Sequence, residues 1–529
     1  MPDPELDRRG FLRRGLQLGA VAAGALATAT LLEGCAHESP TPSTTTTSLA
    51  LGPPTAAQWL AFSRSLSGTL VRPSDGAYGV DRLLYNSKFV DLHPLALAYC
   101  ASADDVARSV DFARRHGMAV AARSGGHSYG GYSSCDGLVI DVSRLASITV
   151  DPLANTAVVG AGAQLIDVYN VLGRHERLLP GGSCPTVGIA GLTLGGGIGV
   201  FGRRYGMTCD NLRAVDVVTA DGEHVRADDR EHRDLLWASR GGGGGNFGVA
   251  TSFQFDVHPM PEVSLFTLQY PWPAAAAMLQ AWQHWITTMP DELWSNCLLL
   301  AEGAAGYLAQ VSGVFCGSTA QLSSLLDTLT GEITTAPAQR FIGSNDYISA
   351  MQIEAGCSGL TIAACHVSTQ RPGGTLGREA YSAKSSYVDG PMGESATTRM
   401  VEAVQNLKDH APSIGGGLAL DAYGGAINRV ARDATAFVHR DKLACIQATY
   451  SWSSYTPASV IAAGAQWLTW LGTSVFDSSS GAYQNYIDPT LAHWQSAYYG
   501  QNLARLAKVK RAYDPDGVFT FAQSIPRTL

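Results

Sequence analysis

The chain has 529 residues, 46% of them hydrophobic, enough to bury more than one core, so two folded domains are the starting expectation. A net charge of −8, with no Lys/Arg block beyond the N-terminal stretch, leaves no electrostatic footprint for nucleic acid. Ten cysteines without CxxC or other metal-like spacing predict no metal site, and they leave any disulfide pairing unreadable.

Residues 7–13 read Asp-Arg-Arg-Gly-Phe-Leu-Arg, close to a twin-arginine export pattern, and an apolar run from Leu16 to Leu32 follows. Its small residues and cationic flank predict a signal peptide rather than a membrane span. Two endings compete. Leu32-Glu33-Gly34-Cys35 resembles a lipoprotein box with lipid on Cys35, although Glu33 replaces the small residue usual there. Ala27-Thr28-Ala29 offers simple cleavage instead. The Ser/Thr/Pro stretch 39–48 reads as a tether, which favours the lipid anchor. The segmentation expected is an address at 1–35, a linker at 36–53, a cofactor domain at 54–259, a substrate domain at 260–480 and a returning tail at 481–529.

Ser102-Ala103-Asp104-Asp105 supplies capping chemistry, and Val106, Val110 and Ala113 recur at helical spacing up to Gly117. Met118 to Ala122 reads as a short buried strand. It delivers the run Arg123-Ser124-Gly125-Gly126-His127-Ser128 into a turn. A strand is predicted over 137–142, and a hairpin over 148–160 with its turn at Pro152–Asn155.

A second glycine turn, Gly182-Ser183-Cys184-Pro185-Thr186-Val187-Gly188, is followed by Gly191, Gly196, Gly197 and Gly199. Glycine lets backbone amides approach a ligand, and consecutive amides form a concavity suited to a diphosphate. Each turn also carries a nucleophile, His127 or Cys184. Together they suggest a dinucleotide cofactor, cradled and then bonded at two points. Gly197-x-Gly199-x-x-Gly202 matches the Rossmann fingerprint, but that motif needs a preceding strand, and Gly188, Gly191 and Gly195 break any strand there. The Rossmann reading is therefore rejected. A third segment runs from Gly241 to Gly245 and on through Asn246-Phe247-Gly248-Val249 into a strand-like run.

The middle of the chain carries fewer signals. Strands are expected at 265–270, 297–300 and 360–366, and helices at 274–287 and 319–328. This predicts an antiparallel sheet with helices on one face. Lys384-Ser385-Ser386-Tyr387 and the stretch 418–428, containing Tyr423-Gly424-Gly425, stand out. Tyr387 and Tyr423 each read most simply as packed core tyrosines. In the tail, Tyr483-Gln484-Asn485-Tyr486 precedes a helix whose Leu503, Leu506 and Val509 share a face, and Asp514-Pro515-Asp516-Gly517 ends it.

These motifs, in this order, resemble the berberine bridge enzyme-like FAD-linked oxidases, of the vanillyl-alcohol oxidase and p-cresol methylhydroxylase type. The resemblance implies an α+β fold: an FAD-binding domain plus a substrate domain whose antiparallel sheet is covered by helices. It implies bonds from His127 to the 8α-methyl carbon of the flavin and from Cys184 to ring carbon 6. The glycines would line the cofactor, as would Val249 and Asn485. Tyr486 would be the substrate-activating base, with Tyr483 and Tyr423 as further catalytic candidates. Val187, three residues past Cys184, would leave room for oxygen, which points to an oxidase making hydrogen peroxide. A free phenol titrates near 10, so a basic tyrosine needs neighbours that favour its phenolate. The expected substrate is a hydroxyl of a sugar, glycoside or secondary metabolite. The alternatives are a flavin dehydrogenase, a ring-forming oxidase on an alkaloid-like substrate, or a non-catalytic carbohydrate-binding lipoprotein.

Overall fold

The computed structural model describes residues 52–477 and 479–529. The export signal, the Cys35 lipid anchor and the Ser/Thr/Pro tether lie outside the described residues. Among the described residues the fold is α+β, built on four sheets.

The helix Ala103–Arg115 begins where predicted, with Ser102 Oγ accepting from the amide of Asp105. Asp104 and Asp105 in its first turn and Arg114 and Arg115 in its last complement its dipole. It connects Ala96–Tyr99 to Val120–Arg123, and both strands pair in parallel with Leu138–Asp141. Thr69–Val71 closes this four-stranded sheet antiparallel to 96–99. The 120–123 strand ends at Arg123, so its carboxyl end projects the SGGHS turn, as ligand-binding loops do on parallel strands.

A second, five-stranded sheet is antiparallel and carries the predicted hairpin, Ile148–Asp151 and Thr156–Gly160, at one side. Its centre is Val249–Asp256, paired with Leu212–Val218. The first large hydrophobic cluster runs from Trp59 through Val257 and takes in tail residues Ala482, Tyr498, Leu506, Phe519 and Ile525. The run before the fingerprint-like Gly197-x-Gly199-x-x-Gly202 is a helix, Ile189–Leu194, not a strand. That fits the rejection of a Rossmann unit.

The third structural layer is a seven-stranded antiparallel sheet. Its order is Gln339–Asn345, Val263–Tyr270, Tyr307–Cys316, Leu293–Glu302, Gly415–Ala422, Ala444–Trp452 and Ala380–Val388. The strands alternate with period two. Leu268, Val311, Leu299, Leu420 and Ala448 face helices Ala275–Thr288, Thr319–Gly331, Glu394–His410 and Ala458–Trp470, forming the second cluster. The opposite face mixes polar side chains such as Gln269, Gln310 and Gln447 with Leu298, Leu300 and Leu308.

One expected strand is corrected. Residues 360–366 form a turn ending in the 3-10 helix Ala363–Cys365, tied by a Cys357–Cys365 disulfide. The apolar run there packs as a small local cluster with Ile166 and Leu376, so it does not need a sheet to bury it.

Candidate active site

A cavity of about 620 Å³ lies between the glycine turns and the polar face of the large sheet. That volume suits a cofactor-sized ligand site. Arg123 to Ser128 line it from the first turn, and Gly182, Cys184, Val187, Gly188 and Gly191 from the second. The stretch 243–246 and Val249 line it from the third, and Tyr483 to Ile487 from the tail. His127 and Cys184, 57 positions apart in sequence by their numbers, therefore line one cavity.

The turns interlock at backbone distance. A Cβ on Gly188 would stand 2.1 Å from Ser124 Oγ and 2.4 Å from the amide nitrogen of Gly125. Only glycine lets these two loops meet. The His127 ring is held on two sides: it stacks on Tyr85 with centroids 4.0 Å apart, and Nε2 lies 2.9 Å from Thr186 Oγ1. Thr186 follows Cys184 by two residues, so one turn orients the nucleophile of the other.

Arg123 is buried, ion-paired with Asp141, and donates to Tyr99 Oη at 3.2 Å. Its Nη1 is buried with no acceptor among the described residues. A cationic N–H without an acceptor, beside glycine amides, matches the donor set of a diphosphate. The residues present thus fit an FAD.

Asn485 and Tyr486 also line the cavity. Tyr486 stacks on Tyr129, centroids 5.3 Å apart, and meets Tyr483 edge-on at 4.9 Å. Burial, then the charge of Asp421, pushes the Tyr486 phenol well above its ordinary value. Tyr483 Oη accepts from the amides of Gly197 at 2.9 Å and Ile198 at 3.3 Å, and from Asn485 Nδ2 at 3.0 Å. Burial raises this phenol too, while those donors pull the other way.

Four expected site residues stand elsewhere. Gly196, Gly197 and Gly199 lie one layer behind the cavity wall. Their missing Cβ atoms make room for Met207, for Thr208 and for the Gly181 backbone respectively. Gly197, at φ +86°, bonds Tyr483 rather than contacting the cavity. Tyr423 is 1% exposed and off the cavity wall, with its hydroxyl 3.4 Å from Tyr387 Oη. The strand before it ends at Ala422, and the chain then turns toward Arg203, which donates to the Tyr423 carbonyl.

The far wall was not foreseen residue by residue. Thr267, Gln269, Gln310, Ser312, Gln447, Thr449 and Ser451 present hydroxyls and amides to the cavity. Three of them form a directed chain into the sheet: Gln269 donates to Gln310 Oε1 at 3.1 Å, Gln310 to Ser312 Oγ at 3.4 Å, and Ser312 to Asn296 Oδ1 at 2.5 Å. Gln447 donates to Tyr129 Oη at 2.7 Å. Alternation of polar and apolar residues in Thr-Leu-Gln, Gln-Val-Ser and Gln-Ala-Thr-Tyr-Ser was the available signal.

Comparison with known proteins bears on this site. The FAD binding domain family matches residues 94–228, and the "Berberine and berberine like" family matches 482–526. The chain is 32% identical over 466 residues to the uncharacterised FAD-linked oxidoreductase YgaK of Bacillus subtilis, covering 87% of this chain and 97% of that one. It is 29% identical to the glucooligosaccharide oxidase of Sarocladium strictum, over 90% and 97% of the two chains. Among solved structures, Physcomitrella patens BBE-like 1 superposes with a TM-score of 0.79 at 29% identity, covering 89% of this chain and 99% of that one.

Proposed function

Because the chain belongs to the berberine bridge enzyme-like FAD-linked oxidoreductases, we propose that it is an exported oxidase acting on a hydroxyl of a carbohydrate, glycoside or related metabolite. In this reading FAD is bonded through both His127 and Cys184. The observation that carries it is that these two nucleophiles, from separate loops, line one cavity together with Tyr486. The similarity to a glucooligosaccharide oxidase and the hydroxyl- and amide-bearing sheet face support a sugar-like substrate. Export is supported by the N-terminal pattern and by a disulfide, which suits an oxidising compartment. The tether at 39–48 supports retention at the cell envelope through a lipid on Cys35.

The bound flavin supplies a two-electron acceptor that oxygen restores, giving hydrogen peroxide. The protein's part is positional. Arg123 and the glycine amides hold the diphosphate. The chain from Gln269 to Asn296 orients a polyhydroxylated substrate by its own hydroxyls. Tyr486 Oη takes the proton of the reacting hydroxyl. Its elevated phenol is a strong base once ionised, so turnover rises toward alkaline pH. Val187, on the cavity wall beside Cys184, leaves the approach of oxygen open.

The test is direct. Denatured protein should stay yellow, with flavin mass on peptides containing His127 and Cys184. A panel of oligosaccharides and glycosides should yield peroxide. Flavin released on denaturation sinks the double bond, and reoxidation in air that takes minutes sinks the oxidase.

A further inference from the structure

Three consecutive residues of the Ala380–Val388 strand hold the tail segment that carries Tyr483 and Tyr486. Ser386 Oγ lies 3.0 Å from Ser480 Oγ. Ser385 Oγ accepts from the amide of Tyr483 at 3.0 Å. Lys384 Nζ is ion-paired with Asp488, both groups nearly buried. This strand is the last of the seven-stranded sheet, so among the described residues its outer edge has no strand partner, and the tail segment contacts it.

The lysine reaches its partner through a purpose-shaped gap. Gly472 sits in the π turn Leu471–Val475, and a Cβ there would lie 2.8 Å from Lys384 Cδ and 3.0 Å from Cε. Turns of this kind are rare and concentrate at functional sites. Asp488 is fixed from other sides as well. Its amide donates to Tyr498 Oη at 2.8 Å, and its carbonyl accepts from Gln523 Nε2 at 2.8 Å. Tyr486 therefore lies between two pins, the Ser385 bond at Tyr483 and the Lys384 pair at Asp488. Removing two buried charges together is often neutral for stability, so such a pair is better explained by the register it imposes.

We infer that Lys384 and Ser385, with the gap at Gly472, are positioning residues that set Tyr486 against the cavity. This rests on the reading of Tyr486 as proton acceptor. The strand grips the tail where the catalytic segment crosses the sheet edge, and the grip holds the phenol oxygen in place without touching substrate.

The experiment uses the flavin-loaded enzyme with Lys384→Met, Gly472→Ala and Ser385→Ala, and it reads kcat, KM, unfolding midpoint and hydrogen exchange. Displacing a reacting group by about 1 Å costs on the order of 100-fold, so Lys384→Met should lower kcat by that order. KM should stay within about threefold, since substrate binding lies elsewhere. Exchange should rise over 480–488 and stay unchanged over 124–128. Gly472→Ala keeps the lysine but pushes it off Asp488, and alanine favours the helical turn. It should reproduce most of the kcat loss, at a midpoint lowered by disturbing the buried pair. If Lys384→Met fails to fold, the other two variants carry the test. Wild-type kcat and exchange in Gly472→Ala and Ser385→Ala overturn the inference. Raised exchange at 480–488 with a Tyr486→Phe enzyme of unchanged kcat keeps the grip and removes Tyr486 as proton acceptor.

Discussion

The two walls of the cavity are made of different material. On one side the ligand meets mostly backbone: the turns at 123–128, 182–191 and 243–248 are rich in glycine, with Arg123, His127 and Cys184 among the side chains that line the cavity. On the other it meets side chains, set on a regular sheet whose pleat sends every second residue inward. Where the first two turns interlock, at Gly125 and Gly188, the backbone wall has no room for an added atom. The side-chain wall can change its chemistry position by position while the helix-facing residues keep the core intact. Such a division suits a protein that holds one cofactor and varies its substrate.

The largest effect should come from the backbone wall. Gly188→Ala places a methyl group into Ser124 and Gly125, and should cost about 3 kcal/mol, the upper range for overpacking, with loss of flavin retention. Thermal unfolding and flavin content measure it; a fully loaded, equally stable Gly188→Ala protein would contradict the interlock. Next, His127→Ala with Cys184→Ala should leave the fold intact while freeing all flavin on denaturation. Turnover should fall on the order of 10-fold or more as the cofactor loses its tuning by the two bonds. Mass spectrometry and steady-state kinetics together read this.

A smaller effect is expected from the side-chain wall. Gln310→Leu breaks the amide chain at its middle and should raise KM roughly five- to tenfold, equivalent to about 1 kcal/mol for one lost hydrogen bond, at unchanged melting temperature. The reverse pattern, intact KM with lowered stability, would make that wall structural.

The smallest effect at neutral pH lies behind both walls, at His439. Burial, then the nearby charge of Lys442, lowers this imidazole to about 3. An unfolded histidine binds its proton near 6.5, so the unfolded chain gains a proton that the fold refuses. The contribution is complete above 6.5 and is lost as pH falls from there toward 3. His439→Phe should reduce the slope of stability against pH in that window by about one proton, read by denaturant titrations at several pH values.

Residue type revealed the backbone wall in advance because conformation there demands it. Positive φ and close approach admit glycine alone, so the turns at 125–126 and 188 were visible as letters. Helix ends were equally plain: Ser102 capped where a capping residue was read. Depth was harder. Gly196, Gly197 and Gly199 look identical in sequence to glycines that touch a ligand, yet they sit one layer back, making space for Met207, Thr208 and Gly181. Tyr423 stands beside Gly424 and Gly425, as a residue of a ligand turn could, and the turn after Ala422 takes it away from the cavity. The apolar stretch 360–366 misled because a disulfide and a local cluster did what a sheet would otherwise do.

Local geometry, then, could be read directly from the chain: which turns need glycine, where helices start, which strands alternate, and that a histidine and a cysteine sit in cradles for one kind of ligand. Tertiary structure alone decided which faces look inward, that Thr186 steadies His127 from the other turn, and that an edge strand holds the tail beside the cavity. The reason is physical. Backbone conformation is governed by neighbours a few bonds away, whereas burial and orientation depend on contacts between residues hundreds of positions apart.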